Sequence, residues 1–454
     1  MKIHTIKKEL SLHEISQLLT AVSGQVRRIL KLKRYYRGEH DILRKRRRSD
    51  SAPNNVLVSN FCEYIANMST GFFLGQPVAY SSVSKNEDEV DALLEIFKYN
   101  DEAAHNLELA EEASVTGEAY ELLYLDGDAQ IRFSPIPAEQ VIMVCDDSLE
   151  ENVILAIRYY SVPNLDQVTS DEFVDVYTET TVTHYSYSGG SFQTLYGPTP
   201  HYIGDVPIVE YANNKQHKGD FEGVITLVDA YNKAQSFTLD DMEDFTDCYL
   251  VLKGMEGTTP EDVKELRKNK VLSLGEGGTA EWLIKNINDT YVENVKTRLQ
   301  KDIHKFSNIP DMSDESFTGN TSGMAIKYKL IGLEQIRSRK ERGFKKGLQR
   351  RIELIAGIMK LRGKTPIDFR DIDIAFTANI PANVQEQAQI VGLLDGFVSR
   401  KRLLSLLPFV TDPKEEIEEL EKKQEERTAK DYDEFEEHEH NAGESGDNGG
   451  NETI

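Results

Sequence analysis

The stretch GVITLVDAYNKAQSFTLDDMEDFTD, Gly223 to Asp247, decides how the chain is put together. Ile225, Val228, Tyr231, Leu239, Met242 and Phe245 recur at helical spacing within it, which predicts one long helix that is acid-rich at its end. A second sustained seam, Val292, Val295, Leu299, Ile303 and Phe306, predicts another helix over Asn288 to Asn308. Between the two lies a short module. It reads as a strand at Tyr249 to Lys253, a short helix opened by Thr259 and Pro260, a strand at Val271 to Leu274, a turn at Gly275 to Gly278, and a strand at Glu281 to Ile284.

On the N-terminal side the pattern changes. Ser11 and Glu14 form a capping box, and Leu12, Ile15, Leu19, Val22, Val26 and Ile29 predict one amphipathic helix to about Tyr36. An exposed loop holding Arg44, Lys45, Arg46, Arg47 and Arg48 follows, and then a helical stripe from Asn60 that the Gly75, Gln76, Pro77 turn ends before a strand at Val78 to Tyr80. A helix around Ala103 to Ser114 leads into short strands. Ala119 to Tyr124 and Gln130 to Ser134 flank the Asp126, Gly127 turn, and Val141 to Val144, Val153 to Tyr160, Phe173 to Tyr177, Thr181 to Ser186 and Phe192 to Tyr196 continue the series. That is an antiparallel meander, so the fold class is α+β.

On the C-terminal side, Asp311 to Ser322 is polar, and no proline interrupts Gly323 to Lys364. That span predicts a helix of roughly forty residues, about 60 Å long, with Gly332, Gly343, Gly347 and Gly357 as points where it can bend. An extended piece at Ile372 to Phe376 precedes a last helical region with Ile390, Leu393, Leu394, Phe397, Leu403, Leu404 and Leu407. Beyond Arg427 the chain is acidic and Gly-rich, a composition that predicts disorder.

With 454 residues, 39% of them hydrophobic and 29% charged, the chain is long enough for more than one core and has the composition of a soluble globular protein. It lacks a spanning run of about 20 apolar residues and a signal peptide, which predicts a protein made and kept in a cytoplasm, with no membrane partner. The net charge is -24, with basic residues gathered before position 50 and acids at the far end. Such a balance excludes tight binding of duplex DNA along most of the surface. Cys62, Cys145 and Cys248 have no CxxC spacing and read as buried thiols.

The motifs of common chemistries are missing. There is no GxxxxGK[ST] loop, no HExxH, no GxSxG and no EF-hand loop, and Gly275, Gly277 and Gly278 lack the strand, helix and distal acid of a dinucleotide site. His438 and His440 read as solvated tail residues. Asp240, Asp241, Glu243 and Asp244 could hold Mg²⁺ for a nuclease, but neighbouring helical positions diverge and do not converge on one ion. No cofactor is expected. A metal-dependent nuclease or processing enzyme is the alternative reading, and it would need a convergent carboxylate or histidine set.

Several phrases in this order resemble the siphovirus-type portal family of tailed bacteriophages: YYRGEHDIL at Tyr35 to Leu43, NNVLVSNFCEYIANMSTGFFLGQPVAY at Asn54 to Tyr80, TGEAYELLY at Thr116 to Tyr124, IPAEQVIMVCDD at Ile136 to Asp147, PIVEYANN at Pro207 to Asn214 and FTGNTSGMAIKYKLIGLE at Phe317 to Glu334. The resemblance implies a mainly helical, ring-forming fold, typically of twelve copies. It implies a β-rich wing over 1–222, stem helices over 223–247 and 288–308, a small α/β clip over 248–287, a channel loop over 309–322, a long wing helix and return strand over 323–376, a helical crown over 377–427 and an acidic tail over 428–454. It also implies a place at one capsid vertex of the virion, after assembly in the host bacterial cytoplasm, and no enzymatic activity. The implied partners are further copies of the chain, double-stranded DNA in the channel, the terminase packaging motor, scaffold and major capsid proteins, and a head-completion adaptor.

Site residues follow as expectations. Asp240, Asp241, Asp244, Asp311, Asp314, Glu315, Phe317, Thr318 and Asn320 are candidates for the channel lining, because repeated carboxylates would keep a polyanion from being gripped. Leu252, Met255, Val263, Leu266, Val271, Trp282 and Leu283 give the clip more apolar surface than so small a module can bury alone, so neighbouring subunits would cover it. The run Arg44 to Arg48 is the candidate for contact with packaged DNA or an acidic capsid partner.

Overall fold

The computed structural model describes residues 1–246 apart from 8, 50, 51 and 165–169, then 249–253, 279–283, 289–312, 328–379 apart from 364–366, and 384–404, with isolated positions and the short runs 416–417 and 419–423 elsewhere. The chain divides into two units, Met1–Asn379 and Ile380–Ile454.

In the first unit, strand β1 (Lys2–His4) precedes helices α1 (Leu12–Ala21) and α2 (Ser23–Tyr36). Ser11 and Glu14 form the expected capping box. The single helix expected here is two: Val22 ends α1 and opens α2, followed at once by Ser23 and Gly24, both poorer helix formers than alanine. The break redirects the apolar stripe. Ile15 and Val22 enter one core, whereas Leu32 and Tyr35 enter another.

Helix α3 (Phe61–Leu74) is capped by Asn60, whose side chain accepts from the Glu63 N–H. Strand β2 (Ala79–Ser82) is followed by α4 (Glu87–Tyr99), absent from the sequence reading, and α5 (Glu102–Thr116). Strands β3 (Glu118–Leu125), β4 (Ile131–Ile136), β5 (Val141–Cys145), β6 (Val153–Pro163), β7 (Ser170–Tyr177), β8 (Thr181–Ser188), β9 (Ser191–Pro200) and β10 (Ile208–Ala212) make two sheets. Their orders are β1-β5-β6-β7-β8-β9 and β10-β3-β4. From β5 to β9 the large sheet is an antiparallel meander, while β1 joins β5 in parallel.

The three-stranded sheet is buried on both faces, and side-chain alternation along β3 shows how. Tyr120 belongs to a core shared with β5, β6 and α1, and Ala119 and Leu123 belong to a core shared with α3, α4 and α5.

After β10 come α6 (Ile225–Thr246), strands β11 (Tyr249–Lys253) and β12 (Thr279–Leu283), and α7 (Asp289–Ser307). Helix α8 (Ile331–Leu361) has 31 residues, shorter than the forty expected, and β13 (Ile372–Ala375) returns to pair antiparallel with β2. The glycines of α8 are contact points. A Cβ at Gly343 would lie 2.1 Å from the Ala212 carbonyl oxygen, and one at Gly347 would lie 2.5 Å from the Tyr211 ring, so these two positions let the helix lie against β10. In the second unit, α9 (Val384–Leu394) and α10 (Arg400–Leu404) are described. Among the described residues no helix is long and apolar enough to cross a membrane.

Candidate channel and docking residues

Helix α6 carries a polar stripe at every fourth position: Asn232, Ser236 and Asp240. These accept hydrogen bonds from the backbone N–H groups of Ser59 (2.8 Å), Leu57 (3.0 Å) and Asn55 (2.7 Å). Four helical residues rise about 6 Å and two extended residues span about 6.6 Å, so the two periods run in step. The segment before α3 thereby gains partners for backbone donors that no sheet supplies.

Two expected functions meet at the end of this stripe. Asp240, a channel candidate, is ion-paired with Lys45 of the basic run; both side chains are largely buried. Lys45 also donates to the Asn55 carbonyl at 3.0 Å and lies 4.8 Å from the Phe237 ring centroid. Burial works to raise the Asp240 pKa, yet the hydrogen bonds from Lys45 and Asn55 hold it below the usual carboxylate range. Arg44, Arg46, Arg47 and Arg48 are exposed, and the Arg48 guanidinium stacks on the same Phe237 ring at 5.4 Å. Asp240→Ala leaves the Asn55 N–H and the Lys45 ammonium without their acceptor. A loss of about 1–3 kcal/mol is expected in equilibrium urea denaturation of the whole chain.

Asp241 is half-buried on α6, and Asp244 lies on the same helix with its side chain outside the described residues. Asp311 accepts from Gln300 Nε2 of α7 at 3.1 Å and lies 3.7 Å from His304 Nε2. Beside it, the Tyr64 hydroxyl donates to the Pro310 carbonyl at 2.9 Å and accepts from the Met312 N–H at 3.2 Å. The start of the 309–322 segment is thus tied to α7 and α3. Asp314, Glu315, Phe317, Thr318 and Asn320 lie outside the described residues, as do Met255, Val263, Leu266, Val271 and the strand expected at Val271 to Leu274. For the rest of the clip set, β11 and β12 pair antiparallel with Leu250 opposite Trp282, Tyr249 opposite Leu283 and Leu252 opposite Ala280. Helices α6 and α7 pack together and are joined through this ribbon.

The sequence reading missed the buried ionic network that locks α8 to the sheet. Arg351 and Glu121 are both fully buried. Arg351 Nε and Nη2 donate to the Glu121 carboxylate at 2.9 and 2.7 Å, and Nη1 donates to Asn106 Oδ1 at 2.8 Å. Glu121 also accepts from the Tyr211 hydroxyl at 2.7 Å, and His105 Nε2 lies 2.8 Å from it. Burial pushes the Glu121 carboxyl up, but Arg351 and His105 outweigh it and hold the pKa at about 2. About three turns earlier on α8, Lys340 reaches Asp220 at 2.6 Å and Asn213 at 2.7 Å, and Asp220 accepts from Ser114 at 2.6 Å. A pattern signal existed for both: Glu121 sits on the Ala119, Leu123 face of β3, and Arg351 sits on the Phe344, Leu348, Ile352, Ile355 face of α8.

Glu118, Glu210 and His217 are the one group among the described residues with three potential metal-binding atoms close together. Two ammonium groups already match its charge: the Met1 amine lies 3.2 Å from Glu118 and Lys2 lies 2.5 Å from Glu210. Burial opposes ionisation of Glu118, and the Met1 amine and His217 overcome it, lowering the pKa from 4.5 to about 2. A carboxylate with a depressed pKa contributes stability above its unfolded value and loses that contribution as pH falls toward the folded one. Urea midpoints should therefore drop between pH 4.5 and 2, with a shallower drop in Glu118→Gln than in the parent chain.

The chain is thus an α+β body with two packed sheets, a long helix bolted to one of them, and a helix pair ending in a β-ribbon. The chain belongs to the family described as phage portal protein, SPP1 Gp6-like, whose model matches residues 15–430. It is similar to the portal protein of Bacillus phage SPP1, with 26% identity over 429 residues that cover 86% of this chain and 82% of that one. It is also similar to the portal protein of Clostridium phage phiCD119, with 25% identity over 434 residues covering 89% and 94%. Among solved structures, the neck of an empty GTA particle computed with C6 symmetry matches with a TM-score of 0.43 and 14% identity, covering 76% of this chain and 90% of that chain. The family is structural and not enzymatic, so the nuclease or head-processing alternative is withdrawn.

Proposed function

We propose that copies of this chain, about twelve of them, close into a ring at one capsid vertex of the virion and that double-stranded DNA enters and leaves through the central channel. Membership of the portal family supports the ring and the virion; the observation that carries the finer reading is the α6–α7 pair joined through β11–β12. In this reading α6 and α7 are the stem, residues 248–287 the clip, 309–322 the channel loop, 1–222 with 323–376 the wing, 377–427 the crown and 428–454 an acidic tail.

Electrostatics supports a passage that does not grip its cargo. Every phosphate neutralised adds affinity, with a salt slope of about -0.9 each on duplex DNA, so a lining that includes Asp241, Asp244, Asp311, Asp314 and Glu315 leaves the duplex free to slide. Asp240 takes part already paired with Lys45, a neutral element of that lining. Arg44, Arg46, Arg47 and Arg48 face outward and supply the contact to packaged DNA or to an acidic capsid protein. The clip carries the terminase motor during packaging and the head-completion adaptor afterwards, and scaffold and major capsid proteins meet the wing during assembly in the host cytoplasm.

Particles assembled with a chain lacking residues 248–287 are expected to contain no packaged DNA, because the motor has no seat. DNA-filled heads at parental yield would overturn the clip assignment. Replacing Arg44, Arg46, Arg47 and Arg48 together by Gln is expected to lower the yield of filled particles. Unchanged yield and DNA content would remove that role from the run.

A further inference from the structure

A groove of about 2030 Å³ runs beside β10. Its walls differ in charge. Arg339, Arg342 and Lys346 stand on the exposed side of α8, while Asp146, Glu150 and Glu151 line the side formed by the large sheet. Arg342 and Lys346 form no ion pair among the described residues, unlike Arg350 one turn further along, which is paired with Asp205 and Glu353. The α8 wall is therefore a line of uncompensated cations.

The opposite edge of the small sheet presents the complementary surface. The strand order β10-β3-β4 puts β10 and β4 at its two edges. The end of α4 is fixed at the β4 edge, since Asn100 donates to the Ile131 carbonyl at 3.0 Å and Arg132 to the Tyr99 carbonyl at 3.1 Å. The outer face of α4 exposes Asp91, Leu94 and Glu95. Neither Asp91 nor Glu95 has a charged partner among the described residues, and Leu94 is 42% exposed.

We propose that the cationic wall of the groove seats helix α4 of the adjacent copy of this chain, with Arg342 and Lys346 facing Asp91 and Glu95 and with Leu94 covered between them. This rests on the ring reading above. Two different surfaces at opposite edges of one subunit make a head-to-tail contact, the kind that repeats round a ring when its rotation closes, where a surface that pairs with itself would stop at a dimer. Helix α4, 13 residues and so about 20 Å long, is the element that would lie along it. The anionic far wall repels the acids of α4, so the incoming helix is held on the α8 side.

Charge reversal tests the pairing on the full chain, using size-exclusion chromatography with light scattering. Arg342→Glu with Lys346→Glu, and separately Asp91→Lys with Glu95→Lys, should each lose the ring peak and leave small species, because each juxtaposes like charges. An equal mixture of the two variants, or all four changes in one chain, should restore it. Rings from either single-face variant at the parental level, or no restoration in the combination, would overturn the pairing. Far-ultraviolet circular dichroism and thermal melting check that the variants fold. A variant that does not is replaced by zero-length carbodiimide coupling of the parental ring, which should join Lys346 to Asp91 or Glu95; no such peptide in the digest overturns the proposal. A parental chain that forms no ring under any of these conditions would instead remove the ring reading itself.

Discussion

Arg351→Met is expected to destabilise the Met1–Asn379 unit by about 3–5 kcal/mol, which is enough to leave much of the chain unfolded or insoluble at physiological temperature. The cost arises on the partner side. Glu121 is fully buried, and its carboxylate is held ionised by the Arg351 fork and by His105. Without the guanidinium it must remain as an uncompensated buried charge or take up a proton, and Asn106 Oδ1 loses its donor as well. Adding Glu121→Leu to Arg351→Met should recover a large part of the loss, because two apolar groups in place of a buried pair remove the unmet desolvation penalty. Soluble yield and the urea midpoint of the whole chain check both. A single variant as stable as the parent would show that this network does not hold α8 in place.

Gly343→Val is expected to cost about 3 kcal/mol, the upper end of what overpacking typically costs. A Cβ here would lie 2.1 Å from the Ala212 carbonyl oxygen, so either α8 or β10 must move, and neither end is a flexible side chain. The movement would also pull on Lys340 and Asp220, whose 2.6 Å pair is buried one turn earlier. Substitution of Gly24, where a Cβ meets nothing within 4 Å, serves as the control and should change the midpoint by less than about 1 kcal/mol. Equal effects at the two glycines would contradict the close approach of α8 to β10.

Much of the fold was legible because period decides it. The long apolar seams of α6 and α7 and the short alternating runs from β5 to β9 announce themselves over several repeats, and the turn residues between them mark the ends. Three parts were missed. β1 has three residues, too few to show alternation, and it exists because β5 offers it an edge. Helix α4 was passed over although Val90, Leu93 and Phe97 recur at helical spacing on the face it buries, because Glu87, Asp88, Glu89, Asp91 and Glu95 make the segment look polar. The break at Val22 is fixed by two cores that the stripe must serve in turn, which is tertiary information.

The candidate residues were legible in type but not in partnership. Acids at the end of α6 and bases after α2 are plain in the sequence, yet nothing in it joins Asp240 to Lys45 across 195 positions. That pair follows from the stripe Asn232, Ser236, Asp240, whose four-residue spacing could have been matched to the two-residue spacing of an extended segment. Glu121 and Arg351 were likewise visible as charged residues on apolar faces. Such a residue, found in both a strand and a helix of one chain, points to a buried pair.

Closure of many copies round a hole is visible in negative-stain electron microscopy of the purified chain. Annular particles with a stain-filled centre and rotational symmetry of about twelvefold are expected. Solid particles without a pore, or single subunits at every concentration and in the mature virion alike, would contradict it.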